Sequence, residues 1–263
     1  MQLNKITSKN NETIKDIAKI VADSGYREKK GFFCIEGLRI CADALKSGID
    51  IKKFFFTERF LKKYPDKAQE LINFSVESAE ISEEIAKKIS TTNTNQGVFC
   101  ICRLLDKKMT IDTIEKKGKY IALENVKDPT NLGAIIRTAE ALGISGIILS
   151  PGCCDIYNDK VLRATMGSIF RINFIETSDF TSQISALKNN MQVLGAVPDE
   201  KAKILKEVSF NEGIIVIIGN EAHGISEEVK NICTDLITIP MRGKAESLNA
   251  AMASCIIMWE MMR

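Results

Sequence analysis

The 263-residue chain has one histidine, His223, and although it holds eight cysteines no two stand in CxxC spacing. Zinc-site spacing is therefore absent. No run approaches the roughly 18 apolar residues that a membrane-spanning helix needs. The first residues, MQLNKITSKN, lack the apolar region of a signal peptide. GxGxxG is absent, so there is no dinucleotide fingerprint, and a nucleotide-dependent oxidoreductase is disfavoured. Neither an internal repeat nor a low-complexity segment is found. Cys34, Cys100 and Cys102 lie in apolar runs, where buried free thiols are usual. The expectation is a cytoplasmic protein with reduced thiols.

What is present suits an ordinary globular protein, 45% hydrophobic and 27% charged, long enough for a full core. The net charge of +2 is small but unevenly spread. Residues 1–63 carry 14 Lys and Arg against 8 Asp and Glu, and the other 200 carry 22 against 26. A basic first quarter suits a polyanion partner, although a solvated lysine-rich surface would give the same count.

The first hundred residues alternate strands and helices. Residues 10–24 place Ile14, Ile17, Ala18 and Val21 at helical spacing. GFFCIEG (31–37) reads as a strand, Leu38 to Lys46 as a helix, IKKFFFT (51–57) as a second strand and LINFSVE (71–77) as a third. SEEIAKKIS (82–90) reads as a helix capped by Ser82, and GVFCICRLL (97–105) as a closing strand. This predicts a first α/β domain over 1–105. The polar stretch 106–119 is the expected linker, with room for one short helix. A second α/β domain over 120–263 then opens with strand 120–124, helix 132–143 and strand 146–150. Further strands are expected at 171–175, 192–197, 213–218 and 235–239, and a last helix from about Glu246 to Met262. Uninterrupted apolar strands such as IIVII (214–218) suit a parallel sheet covered on both faces.

Three segments carry candidate chemistry. ENVKDPTNLGAIIRTAEALG (124–143) is a strand end, a proline turn and a helix, for which Thr130 or Asn131 is a candidate cap. Arg137 falls within the first two turns, where a cation gains nothing from the helix dipole. A nearby anion or reacting oxygen would explain it, as would a plain exposed arginine. IIVIIGNEAHGIS (214–226) ends a buried strand in Gly219, Asn220 and Glu221. Loops at strand ends of open α/β sheets bind ligands, and glycine lets a ligand approach the backbone. LITIPMRGKAESLNAAMASCIIMWEMM (236–262) is a strand, a loop and a helix opening at Ser247-Leu248-Asn249, rich in small residues.

In order, spacing and flanks, the three segments resemble the motifs of the SpoU (TrmH-like) family of RNA 2′-O-ribose methyltransferases, within the SPOUT superfamily. The resemblance runs from about 120 to 262, and RATMGSIFR (163–171) is similar to the family's segment between its first two motifs. ITSKNNETIK, REKKGFFCIEGLRI and NQGVFCIC make the first domain resemble the L30e-like substrate-binding domain that precedes many such catalytic domains. The resemblance implies a parallel-sheet α/β catalytic domain with a deep trefoil knot, which general topology rules would have argued against. It also implies S-adenosylmethionine as cofactor, RNA as substrate and no metal.

Residue by residue, the resemblance makes Arg137 the main catalytic residue. An arginine is a poor base, so the expected role is to bind a neighbouring phosphate and stabilise developing alkoxide charge. Asn131 would bond the ribose or hold Arg137, and Glu221 would orient Arg137 or accept from the nucleotide. Ser247 and Asn249 match polar residues near the reacting centre. Gly219, Ile239 and Leu248 match cofactor-contacting positions, and Met241 lies in the same loop. His223 is read as a loop or RNA-contact residue rather than a catalyst. The resemblance further implies a homodimer through the catalytic domain, with Trp259 and the methionines of IIMWEMM (256–262) as candidate contacts. Arg163 would then reach RNA bound at the other subunit. Ribosomal RNA is the expected substrate. The alternatives are a transfer-RNA 2′-O-methyltransferase and a non-catalytic RNA-binding protein of the same fold. Methylation of a base nitrogen is disfavoured by the arginine motif.

Overall fold

Short apolar strands bounded by glycine and polar caps give the first part of the chain a mixed sheet. The computed structural model describes residues 4–105 and 109–263. These form two compact units. One takes in the described residues up to Leu105 together with Asp155–Phe170, and the other takes in Met109–Cys154 and Arg171–Arg263.

The first unit runs β1 (Asn4–Ile6), α1 (Glu12–Ala22), α2 (Ser24–Lys30), β2 (Phe32–Glu36), α3 (Leu38–Lys46), β3 (Ile51–Phe56), α4 (Glu58–Lys63), α5 (Pro65–Phe74), β4 (Glu77–Ile81), α6 (Glu83–Ile89) and β5 (Val98–Arg103). The sheet order is β1-β4-β3-β5-β2, with β5 antiparallel to both neighbours and the other pairs parallel. Alternation along β3 splits the core. Phe55 joins Ile14, Ile17 and Ile85 on the face covered by α1 and α6. Phe54 stacks on Phe56 at 5.1 Å and meets Phe60 of α4 edge-on at 6.4 Å.

The expected strand over 71–77 is corrected. Leu71 to Phe74 end helix α5, and the strand begins at Glu77. Pro65 at the first helical position and Ala68 and Leu71, three residues apart and both buried, make PDKAQELINF a helix packed on one side. Helices α2 and α4 had no counterpart in the periodicity reading. Ser82 does cap α6, accepting from Ile85 N at 3.3 Å.

The second unit begins with a single 3-10 turn at Ile111–Thr113, and residues 106–108 of the expected linker lie outside the described residues. It continues with β6 (Lys119–Leu123), α7 (Pro129–Leu142) and β7 (Gly146–Leu149). Helix α8 (Asp159–Thr165) belongs to the first unit. The chain then returns through β8 (Phe174–Glu176), α9 (Phe180–Leu187), β9 (Gln192–Ala196), β10 (Lys203–Ile204), β11 (Ile214–Ile218), α10 (Glu227–Ile232), β12 (Asp235–Thr238) and α11 (Ala250–Met262). The seven strands lie in the order β10-β12-β9-β11-β6-β7-β8, and every pairing is parallel. β11 is buried along its whole length, as a strand with helices on both faces must be. Tyr120, Ala122, Ile215 and Ile217 face a core shared with α9 and α10. Helices α7 and α11 pack against each other, α7 against β7 and α11 against β6.

The placement of Asp155–Phe170 departs from a second domain running unbroken over 120–263. Side-chain chemistry explains it. Arg27, 6% exposed at its side chain, pairs with Asp155 at 2.5 Å and donates to the carbonyls of Ile20 and Val21. Tyr157 packs on Phe33 at 4.8 Å, and its hydroxyl accepts from Leu105 N at 2.9 Å.

Two helix starts also differ from expectation. Asp128, not Thr130 or Asn131, caps α7, accepting from the backbone N–H groups of both at 2.7 and 2.9 Å. Pro129 follows as the first helical residue, where its missing N–H is no loss, so the cap is the residue before the proline. α11 begins at Ala250 rather than near Glu246, because Asn249 accepts from Ala251 N and Met252 N and so caps the helix.

Candidate active site

In an all-parallel sheet every strand delivers its following loop to the same side. β6 and β11 are neighbours, with Leu123 opposite Ile218, yet their exits diverge: β6 leads to β7 on one side and β11 to β12 on the other. Such a divergence leaves a crevice at the C-terminal ends of the strands, the usual ligand position in open α/β sheets.

Three distant chain segments meet there. The side-chain amide of Asn131, in the first turn of α7, donates to Glu221 Oε1 at 2.7 Å. Asn131 Oδ1 accepts from Asn249 Nδ2 at 2.9 Å. Asn249 is thereby used twice, since its own Oδ1 caps α11. Asn131 keeps one amide hydrogen and one lone pair for another partner. Ser247 lies two residues before Asn249 in the same loop.

Beside this junction is a cavity of about 270 Å³. Gly219, Ile239, Met241 and Leu248, the residues matched to cofactor contacts, all line it, as do Glu221, His223 and Ser247. Its wall also contains Ala196, Val197 and Pro198 after β9, Leu205 and Thr238, none of which the sequence reading singled out. For all but Leu205, which follows β10, position at the end of β9 or β12 is the signal that would have found them. At Gly219 an added Cβ would lie 2.1 Å from the carbonyl carbon of Gly224 and 2.2 Å from Ile225 N, so only glycine fits. Apolar walls with a few polar groups and a bare backbone stretch fit a nucleoside-like ligand with a flat ring and polar edges.

Two predicted residues make no bond to the junction. Arg137 is exposed on α7 and makes no hydrogen bond or ion pair among the described residues. Glu221 thus bonds Asn131 rather than Arg137. Arg163 lies in the first unit, on α8, where it donates to Thr91 Oγ1 at 2.6 Å and pairs with Asp159 at 2.7 Å. The sequence reading named Asn220 at the strand end but gave it no role, although it is the most heavily bonded residue of its loop.

A crevice of this kind, lined by glycine and amide groups and fed by three separate loops, defines a ligand-binding parallel-sheet α/β protein. The SpoU rRNA methylase family matches residues 118–259, and an MRM3-like substrate-binding domain matches residues 11–100. The chain belongs to the SpoU rRNA methylase family, and it is an RNA methyltransferase. It is similar to an uncharacterized tRNA/rRNA methyltransferase of Synechocystis, at 30% identity over 98% of this chain and 93% of the relative. It is also similar to the 23S rRNA (guanosine(2553)-2′-O)-methyltransferase RlmP of Bacillus subtilis, at 29% identity over 98% and 99%. Among solved structures, the AdoMet-bound rRNA methyltransferase from Sinorhizobium meliloti matches with a TM-score of 0.85 and 30% identity, covering 99% of this chain and 98% of that one.

Proposed function

We propose that the protein methylates a ribose 2′-hydroxyl of ribosomal RNA, with S-adenosylmethionine as donor. The observation that carries this reading is the junction of Asn131, Glu221 and Asn249 beside the cavity of Gly219, Ile239, Met241 and Leu248. The relatives support it. RlmP is named for 2′-O-methylation of 23S rRNA, and the Sinorhizobium protein is an AdoMet-bound rRNA methyltransferase.

S-adenosylmethionine, when bound, supplies an already activated methyl group. The chain's own work is then to hold the ribose and to help its hydroxyl lose a proton. The backbone at Gly219 and Ile239 and the side chains of Met241 and Leu248 hold the cofactor. The remaining amide hydrogen and lone pair of Asn131 meet the nucleotide, with Glu221 and Asn249 fixing its orientation. Arg137 is free to bind an RNA phosphate and stabilise alkoxide charge. Ser247 adds a hydroxyl at the edge of the same site.

The first unit is the RNA-holding part of this reading, with Arg163 among its contacts. In this reading the catalytic domain is 120–263 without Asp155–Phe170, which serves the RNA side. The trefoil knot implied by the resemblance belongs to the proposal as well. So does a homodimer, whose contact is the exposed stripe of Met252, Ile256, Trp259 and Met262 on α11. All eight cysteines are free, in keeping with a cytoplasmic protein. Among the described residues no helix is long and apolar enough to cross a membrane.

Mapping 2′-O-methyl groups in total RNA, with and without the gene, tests the reading. One ribosomal RNA position should lose its methyl group. Loss confined to transfer RNA would redirect the assignment, and no loss anywhere would favour an RNA-binding protein without activity.

A further inference from the structure

Glu221 is exposed on a loop, yet its carboxylate must sit within hydrogen-bonding range of Asn131. The residue before it explains how. Asn220 makes four hydrogen bonds. Its N–H donates to Gly224 O at 3.0 Å, and its carbonyl accepts from Gly224 N at 2.8 Å, closing the loop on itself. Its side-chain Oδ1 accepts from Ala222 N at 2.9 Å, which turns the chain immediately around Glu221. Its Nδ2 donates to the carbonyl of Asn125 at 2.8 Å.

That last bond leaves the loop and reaches the exit of β6. Asn125 is itself held in an unusual state. Its φ is +54°, a left-handed conformation that few residues other than glycine adopt. Its N–H donates to Ser150 Oγ at 2.9 Å, at the exit of β7. Gly152 lies against it so closely that an added Cβ would stand 1.8 Å from Asn125 Oδ1. Cys154 N donates to Val126 O at 2.9 Å on the other flank. The Asn125 carbonyl is therefore fixed by the ends of two strands, and strain of this kind persists only where surroundings over-determine it.

We propose that Asn220 is a positioning residue for methyl transfer: by anchoring to the fixed carbonyl of Asn125 it sets Glu221 in register with Asn131. Asn131 in turn bonds Asn249, so one amide aligns residues from all three site segments. The inference rests on the methyltransferase reading for its consequence in rate, but not for its geometry.

Asn220→Ser separates the two side-chain bonds. A serine hydroxyl still accepts from Ala222 N, but is too short to reach the Asn125 carbonyl. Single-turnover methylation of RNA by the full-length variant should slow about tenfold, the scale of one lost hydrogen bond. Glu221→Ala removes the second arm, and the double variant closes the cycle. If Asn220 acts through Glu221, the double variant is no slower than Glu221→Ala alone. A merely structural role would add its own loss, and that outcome overturns the proposal. A crystal structure of Asn220→Ser gives the readout that does not depend on activity. Loss of the Glu221–Asn131 bond is expected, and its retention overturns the proposal. A wild-type protein without methylation would sink the functional reading while leaving this structural test in force.

Discussion

The amide of Asn131 donates to Glu221 Oε1 at 2.7 Å, joining residues 90 positions apart. The bond exists because β6 and β11 pair in register, with Leu123 opposite Ile218, so that the loops leaving them start side by side. Asn249 then closes the junction from a third loop at 2.9 Å. A site built this way depends on the sheet for its geometry, while the groups that do chemistry stay exposed at its edge.

Arg137 is the sharpest test of mechanism. It is exposed and has no partner among the described residues, so Arg137→Ala should alter stability by only about ±0.5 kcal/mol. If it stabilises charge at the reacting oxygen, the same change lowers the single-turnover rate roughly a hundred- to a thousand-fold. Binding of the demethylated cofactor should be retained. Arg137→Lys should recover little, since lysine lacks the planar fork that holds a phosphate and an oxygen together. A near-wild-type rate for Arg137→Ala would sink this role.

Gly219→Ala tests the cofactor cavity. The added methyl would meet Gly224 and Ile225 backbone atoms at 2.1 to 2.3 Å, and backbone cannot move aside as a side-chain tip can. Destabilisation of about 1–3 kcal/mol is expected, with loss of calorimetric binding of the demethylated cofactor. Gly243, in the loop between Met241 and Ser247, has nothing within 4 Å of its added Cβ. Gly243→Ala should melt like the wild type. Equal melting of both variants would contradict the packing argument.

The stripe on α11 predicts oligomeric state. Trp259 is 62% exposed and Met252 56%, and with Ile256 and Met262 they recur every three or four residues along one side of the helix. The opposite side, with Ile257, Met258 and Met261, is buried against the protein's own core. Light scattering should give a dimer, and Trp259→Glu should give a monomer. A monomeric wild type, or an unaffected variant, would count against the interface.

Buried thiols predict how stability varies with pH. Burial pushes the Cys34, Cys100 and Cys102 thiols up, and that of Cys233 up to about 11. An unfolded thiol titrates near about 8.5, so above that pH the unfolded chain has lost protons that the folded one keeps. The stabilisation is complete below about pH 8.5 and declines as pH rises toward the folded values. Urea midpoints should fall between pH 8 and 10 in the wild type, and fall less in Cys34→Ala. Iodoacetamide at pH 8 should label Cys100 and Cys102 only after unfolding. Rapid labelling of the folded protein would show that the thiols are not buried in solution.

Much of this protein was legible in its residues. IIVII had to be a strand covered on both faces, because no alternation offered a wet side, and β11 is buried throughout. Gly219, Glu221, Ser247 and Asn249 could be picked out because their local sequences resemble the SpoU motifs, and the cavity and junction hold them. Sequence pattern failed where a local signal was weak or shared. LINFSVE has the composition of a strand, but the proline at its helix's start and the burial of Ala68 and Leu71 make α5. Nothing local marks Asp155–Phe170 as part of the first unit. That placement is decided by Arg27, whose buried charge needs Asp155, and by the stacking of Tyr157 on Phe33. The same division holds at the site. The sequence by itself determined which residue types are present and on which strand ends they ride, because periodicity and caps are local. Only the tertiary structure decided that Asn220 reaches Asn125 and that Asn131 lies between Glu221 and Asn249. Those bonds depend on strand order, and strand order is a long-range choice that no single segment encodes.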